Sequence, residues 1–278
     1  MKQTFLLIKR SLITLAFSLG IYVTSFAGDT LVINNIAGTL QDVLPNTLFE
    51  RGCISIVSVS EFKITGTINA LDLRFIQDKK DKFTALTSLD LSGSDLSPVT
   101  IDGVLYPSNE ITAGTFDGFR TLTSIKIPNS VTSIGYKAFA GCSAMKIMPN
   151  NIIYIGKQAF AWARSLGDII LSTSLIKMDD ECFAYCDDNT GEIGLTSIVL
   201  PATLKTIGNN VFANCNKLQF VVIYATTPPA TGSFGSGLGA NCSTGYKTKL
   251  YVPDAALNAY KNISAYSSAF NIRPISEK

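Results

Sequence analysis

LTSIKIPNSVTSIGYKAFAGC (residues 122–142) returns at residues 195–215 as LTSIVLPATLKTIGNNVFANC. Leucine, the two isoleucine-type positions, proline, Ile-Gly, Phe and Cys recur at fixed offsets. A shared unit of this length is the mark of stacked coils, because one short coil cannot bury its apolar side alone. Looser copies start at Met145 and Leu166, and a degenerate first copy opens at Leu86 and reaches its phenylalanine at Phe116. A last start at Leu218 reads as a lone terminal strand. Starts at 122, 145, 166, 195 and 218 give spacings of 23, 21, 29 and 23. Insertions fall between the landmarks, as DDNTGEIG after Cys186 and SPVTIDGVLYPSNE in the first copy. The copy from Met145 is short within its strand, which leaves its register the least defined.

Each landmark has a physical job. Leu122, Ile125 and Ile127 face inward from a short strand and leave Thr123, Ser124 and Lys126 outside. Proline at 128, 149 and 201 ends the strand, since it cannot donate to a ladder. Gly135, Gly156 and Gly208 are expected to allow a turn with positive φ, and Asp179 to tolerate the same conformation. Phe116, Phe139, Phe160, Phe183 and Phe212 are expected to form one interior aromatic column. Three residues beyond each, Phe119, Cys142, Ala163, Cys186 and Cys215 form a second buried column.

The L-x-x-I-x-I-P-x-S-V-T-x-I-G-x-x-A-F-x-G-C unit resembles the BspA-like leucine-rich repeats of bacterial surface proteins. The resemblance covers roughly residues 86–224 and implies an α/β leucine-rich-repeat solenoid, curved, with a parallel sheet on its concave face. It also implies export and the binding of macromolecules without catalysis. The departures are the short copy, Asp179 in place of glycine, and the low repeat count.

Residues 1–27 read as a secretory signal: a basic start with Lys2, Lys9 and Arg10, an apolar run too short to span a bilayer, and small residues before a cut after Ala27. The expected location is secreted or cell-surface, with the periplasm left open, and no membrane insertion follows cleavage. Residues 28–85 read as an N-terminal cap of strand, short helix, strand and helix. Residues 225–278 read as a Gly/Pro/Ser-rich loop, the strand KLYVP, and a capping helix with Asp254 as its N-cap.

Hydrophobic residues are 46% and charged ones 16%, with a net charge of +2, so a large core is affordable and no electrostatic footprint for nucleic acid exists. There is no histidine, which removes Ser-His and Cys-His nucleophile pairs and most zinc sites. SLIK (residues 174–177) matches S-x-x-K, but no K-T-G accompanies it, and the repeat accounts for both residues. Asp179, Asp180, Glu181, Asp187, Asp188 and Glu192 cluster near 179–192. They offer oxygen ligands to calcium, or the paired acids of a secreted hydrolase or glycan-active protein, or only a solvated loop. Six cysteines (53, 142, 182, 186, 215 and 242) would permit 15 complete pairings. The repeated interior position of three of them favours free, buried thiols.

The residue between the two inward positions of each strand is Asp90, Lys126, Ile170, Val199 and Val222, with Phe220 beside the last. This row grades from charged to apolar. It marks Lys126, Ile170, Val199, Phe220 and Val222 as candidate ligand contacts, unless Ile and Val are there as strand formers or a cap folds over them. The leading expectation is a monomeric, non-catalytic, adhesion-type protein with no cofactor or metal, binding an extracellular or host protein or matrix through its concave sheet. A glycan partner and a structural envelope role remain open.

Overall fold

The computed structural model describes residues 22–27, 30–43, 59–146, 148–187, 193–231 and 247–278. Residues 1–21 of the signal reading, Cys53, Cys242, Asp188, Glu192 and most of the Gly/Ser-rich loop lie outside them. Two units form: residues 1–109 with 124–131, and residues 110–123 with 132–278.

In the first unit, β1 (Tyr22–Ala27) pairs antiparallel with β2 (Thr30–Asn35). A one-turn α1 (Leu40–Val43), β3 (Glu61–Ile68), α2 (Ala70–Asp78) and β4 (Ser88–Leu96) follow. The insertion SPVTIDGVLYPSNE folds as a hairpin of β5 (Val99–Ile101) and β6 (Val104–Tyr106). After β7 (Glu110–Ile111), which belongs to the second unit, β8 (Ser124–Lys126) returns to the first. Strands β2, β3, β4 and β8 run parallel and place Leu31, Phe62, Leu89 and Ile125 in one buried row. Period-two alternation explains the row, because every second side chain meets the same face. The expected cap strands and the first repeat strands are therefore one ladder. Helix α2 opens on a capping box: Asn69 accepts from Leu71 N–H, and the buried Asp72 accepts from Asn69 N–H at 2.9 Å. Asp72 also accepts from the N–H groups of Gly38 (2.7 Å) and Leu40 (2.9 Å), so both oxygens of a buried carboxyl group are satisfied.

The second unit carries two parallel ladders. Strands β9 (Ser133–Ile134), β10 (Tyr154–Ile155), β12 (Lys177–Met178), β14 (Thr206–Ile207) and β16 (Ala230–Thr231) extend β7 into six two-residue strands. The wider ladder joins β11 (Gly167–Ile170), β13 (Leu195–Leu200), β15 (Phe220–Ile223), β17 (Lys249–Val252) and β18 (Asn271–Pro274). The strand from Leu218 is thus not terminal: two more strands follow it. The short copy from Met145 carries no strand of the wide sheet among the described residues, although Lys146 N–H still reaches Thr123 C=O at 3.0 Å.

The aromatic column is present. Phe116, Phe139, Phe160, Phe183 and Phe212 are all fully buried, with successive ring centroids 5.2, 5.3, 5.4 and 6.2 Å apart. Backbone bonds flank every ring. The N–H groups of Lys137, Phe139 and Gly141 donate to the carbonyls of Lys157, Ala159 and Ala161 of the next coil. Gln158, Phe160 and Trp162 donate in the same way to Asp180, Cys182 and Ala184. The intervening N–H groups turn back on their own coil, as Ala138 does to Gly135 C=O and Ala140 to Lys137 C=O. This alternation requires left-handed backbone two residues either side of the phenylalanine. Gly114, Lys137, Gln158, Glu181 and Asn210 hold it on one side, and Gly118, Gly141, Trp162, Tyr185 and Asn214 on the other.

That pattern corrects the reading of the Ile-Gly glycines. None of Gly135, Gly156 and Gly208 has a positive φ, and neither does Asp179. Close approach is what needs glycine there. A Cβ at Gly208 would lie 2.4 Å from Asp180 N, and one at Gly156 would lie 2.8 Å from Ile134 O.

The C-terminal helix is also broken. Asp254 sits inside a 3-10 turn (Asp254–Ala256), not at an N-cap, and its carboxylate accepts from Ser276 N–H at 3.2 Å. Helices α3 (Leu257–Lys261) and α4 (Ser264–Ala269) follow, each bringing one buried tyrosine inward. Tyr260 and Tyr266 donate to Ala225 C=O and Pro229 C=O, both at 2.8 Å. The polar tip of each buried ring is thereby matched.

Candidate functional site: the outer face of the wide sheet

Register places the candidate residues as their spacing suggested, in two separate sheets. Ile170, Val199, Val222, Tyr251 and Arg273 are successive partners across β11, β13, β15, β17 and β18. Lys126 pairs with Asp90 across β8 and β4 in the first unit. Exposure then divides the row. Ile170 is 75% exposed and Val199 half-buried, but Val222 is 1% exposed.

Val222 is thus not an outward contact, and the neighbouring rings explain why. Phe220, two residues before it, and Tyr251, its partner on β17, meet edge to face at 6.0 Å and 78°. The chain's last residue also returns to this face, with Lys278 Nζ 5.0 Å from the Phe220 ring centroid. Partial cover by the C-terminal segment, one of the alternatives the sequence left open, holds at this end of the sheet. What stays open is Ile170, Val199 and part of Phe220.

Charge borders this apolar surface. Asp168, at the start of β11, accepts from Ser197 Oγ (2.7 Å) and Thr196 Oγ1 (2.6 Å). These bonds, Ser197's first, hold its carboxyl below the ordinary value, with Lys278 adding to the effect. In the first unit, Asp90 is drawn upward by burial but held below its ordinary value by hydrogen bonds from Ser92 and by Lys126. Lys126 Nζ lies 3.6 Å from the Asp90 carboxylate and is mostly exposed.

The acids near 179–192 close local contacts. Asp179 accepts from Tyr154 Oη and pairs with Lys177 at 3.0 Å. Burial, followed by the Asp179 bond, raises the Tyr154 phenol. Asp180 accepts from Asn209 N–H (2.7 Å), Glu181 accepts from Gln158, and Asp187 accepts from Asn216 N–H (2.7 Å). Among the described residues no group of three or more His, Cys, Asp or Glu side chains is placed to hold a metal ion. Lys177 of the SLIK stretch is engaged with Asp179 and lies over the Tyr154 ring, 5.2 Å from its centroid.

Cys142, Cys182, Cys186 and Cys215 are free and buried. The thiols of Cys142, Cys186 and Cys215 donate to the carbonyls of Phe116 (3.1 Å), Phe160 (3.2 Å) and Phe183 (2.9 Å), one coil back in each case. Burial pushes Cys142 up to about 12 and raises Cys182 and Cys186 as well.

One feature escaped the sequence reading. Trp162 and Tyr185 occupy the left-handed position after the phenylalanine in adjacent coils. Their rings stack at 5.1 Å and 5°. Tyr185 is 41% exposed and Trp162 partly so. Aligning the second residue after each phenylalanine gives Gly, Gly, Trp, Tyr, Asn, and that column holds the signal.

With two ladders, a phenylalanine spine and a repeated turn established, comparison with known proteins is specific. The model of the BspA-type leucine-rich repeat region matches residues 109–235 in six copies. Residues 109–235 are a BspA-type leucine-rich repeat region. The fold is an α/β leucine-rich-repeat solenoid. No protein of curated function matches the chain. Three solved structures of bacterial proteins are similar. A Treponema pallidum leucine-rich repeat protein is 24% identical, with 67% of this chain and 85% of that one covered and a TM-score of 0.44. The pneumococcal vaccine antigen PcpA is 16% identical, with 77% and 59% covered and a TM-score of 0.40. A Bacteroides ovatus leucine-rich repeat protein is 21% identical, with 80% and 62% covered and a TM-score of 0.36. These likenesses concern the fold and say nothing of a partner. Outside the BspA-type region, as within it, no helix among the described residues is long and apolar enough to cross a membrane.

Proposed function

We propose that this is an exported, non-catalytic binding protein that engages an extracellular or host protein, or matrix, through the outer face of the wide sheet. One observation carries the reading. Ile170 is 75% exposed on a strand whose outward partner is Val199, and the half-buried Phe220 pairs with Ser197 of the same middle strand. An apolar surface rimmed by a fixed charge such as Asp168 is a usual form of protein-binding patch. Contact comes from several adjacent strands at once, with no covalent step. Export rests on the basic and apolar character of residues 1–27 and on the resemblance of the repeats to those of surface proteins.

The test is biolayer interferometry of the full chain against purified extracellular-matrix and host-cell surface proteins. Ile170→Glu and Val199→Glu, changes at exposed or half-buried positions, are expected to weaken binding at least about tenfold, the loss of about 1.4 kcal/mol. Circular dichroism and melting temperature should stay at wild-type values. Undiminished affinity in the folded double variant, or no binding to any panel member, refutes the proposal.

A further inference from the structure

Trp162 is the only tryptophan in the chain. Its column, the second residue after each phenylalanine, runs Gly118, Gly141, Trp162, Tyr185, Asn214, one per coil. Tyr185 covers one face of the indole, nearly parallel to it. Coil order turns the other face toward Gly141 and then Gly118, neither of which has a side chain. Among the described residues no second ring stacks on Trp162. We propose that this face binds one pyranose unit of a glycan, with the Asp117 carboxylate accepting from its hydroxyl groups.

The dimensions fit. Coils repeat at about 4.8 Å, so the two coils that carry glycine in this column span about 10 Å beside the indole. A sugar ring in van der Waals contact with the indole lies about 4 Å from it. That stretch of the column is bare backbone. A Cβ built on Gly141 would lie 3.5 Å from Gly118 Cα and 3.8 Å from Asp117 Oδ1, so the carboxylate borders the space. With about four lone-pair sites, a carboxylate accepts from a ligand in addition to its own protein contacts.

The chemistry selects the ligand. A flat electron-rich face suits a surface of C–H groups, and a carboxylate suits hydroxyl donors. A pyranose offers both, on its face and its edge. A quaternary ammonium is best held by several aromatic walls, and here there is one. The site is also fixed in advance. Trp162 and Tyr185 donate their backbone N–H groups to Ala184 C=O (3.0 Å) and Ala213 C=O (2.7 Å), and the Tyr185 ring supports the indole from behind.

This site uses none of the residues of the sheet face, so either can fail without the other. Because one tryptophan gives all the indole emission, the full-length protein reports on its own site. It is titrated with maltoheptaose, cellohexaose, chitohexaose, xylohexaose and mannohexaose, and with tetramethylammonium as the cation control, followed by tryptophan fluorescence and isothermal calorimetry. At least one saccharide is expected to give a saturable emission change below about 10 mM. Gly141→Tyr extends the stack over Trp162, in a backbone conformation that Tyr185 already holds. It is expected to abolish the response while the tryptophan stays in place. Asp117→Asn is expected to weaken binding at least about tenfold, and it supplies the reading if Gly141→Tyr does not fold. No saturable response to any saccharide, an equal response in Gly141→Tyr and Asp117→Asn, or a response confined to tetramethylammonium overturns the proposal.

Discussion

Replacing Phe160 with alanine tests the stacked spine directly. Phe160 is fully buried, with Phe139 on one face at 5.3 Å and Phe183 on the other at 5.4 Å. Truncating a buried phenylalanine to alanine costs about 3–5 kcal/mol, through lost transfer energy and the cavity left behind. Aromatic pairs add about 0.5–1.5 kcal/mol each beyond area, and here two are lost. The expected loss therefore lies toward the upper end, about 5 kcal/mol. At a urea m-value of about 2 kcal/mol/M, the midpoint falls by about 2.5 M. Phe116→Ala is the internal comparison. Its ring stacks on Phe139 at 5.2 Å, but its other aromatic contact, Phe119, is edge-on at 5.9 Å. It too loses two aromatic pairs, one stacked and one edge-to-face, and should cost within about 1 kcal/mol of Phe160→Ala. Ile170→Ala, at a position 75% exposed, should stay within about 0.5 kcal/mol of wild type. The assay is equilibrium urea unfolding followed by far-ultraviolet circular dichroism. If Phe160→Ala loses no more than Ile170→Ala, the rings do not bear on stability and the stacked-coil account fails.

Two glycine variants separate crowding from conformation. Gly208→Ala places a Cβ against the Asp179–Asp180 backbone and should cost about 3 kcal/mol, whereas Gly141→Ala carries only the left-handed penalty of about 1–2 kcal/mol. Equal losses in thermal unfolding would contradict that distinction. The cysteines give a chemical test. With Cys142 raised to about 12 and burial also raising Cys182 and Cys186, thiolate is scarce at pH 8. Iodoacetamide should label none of the three in the native protein and all of them in urea. Mass spectrometry reads the result, and rapid native labelling would refute the buried assignment.

What the sequence disclosed followed side-chain periodicity. The phenylalanine column, the cysteine column behind it, and the Ile170–Val199–Val222 register were all legible, because each is one residue type or face repeating at coil length. The six two-residue strands were not legible, since two residues are too few to show alternation. The Ile-Gly glycines were misassigned because sequence does not distinguish a residue that lacks Cβ for φ from one that lacks it for clearance. Left-handed backbone falls instead on Lys137, Gln158, Trp162, Glu181 and Tyr185, residue types that rarely adopt it. The inter-coil bonds at each of those turns hold them there. β18 (Asn271–Pro274) was not legible either, since four residues ending on a proline show little alternation. The single C-terminal helix failed because Tyr260 and Tyr266 are six residues apart, off the helical repeat, and both must face inward. At the candidate site, Val222 was legible as outward-pointing but not as covered. Its strand partner there is Tyr251, 29 positions away.

The turn beside the phenylalanine spine has an electrical consequence. At each coil boundary there, three amide N–H groups point toward the later coil and three carbonyls answer toward the earlier one. Peptide dipoles that share a direction sum, as they do along an α-helix. This stretch of the molecule therefore carries a lengthwise polarity with no helix in it, electronegative at the Gly114 turn and electropositive toward the Phe212 turn. Every coil added to such an array would lengthen that dipole as well as the stack.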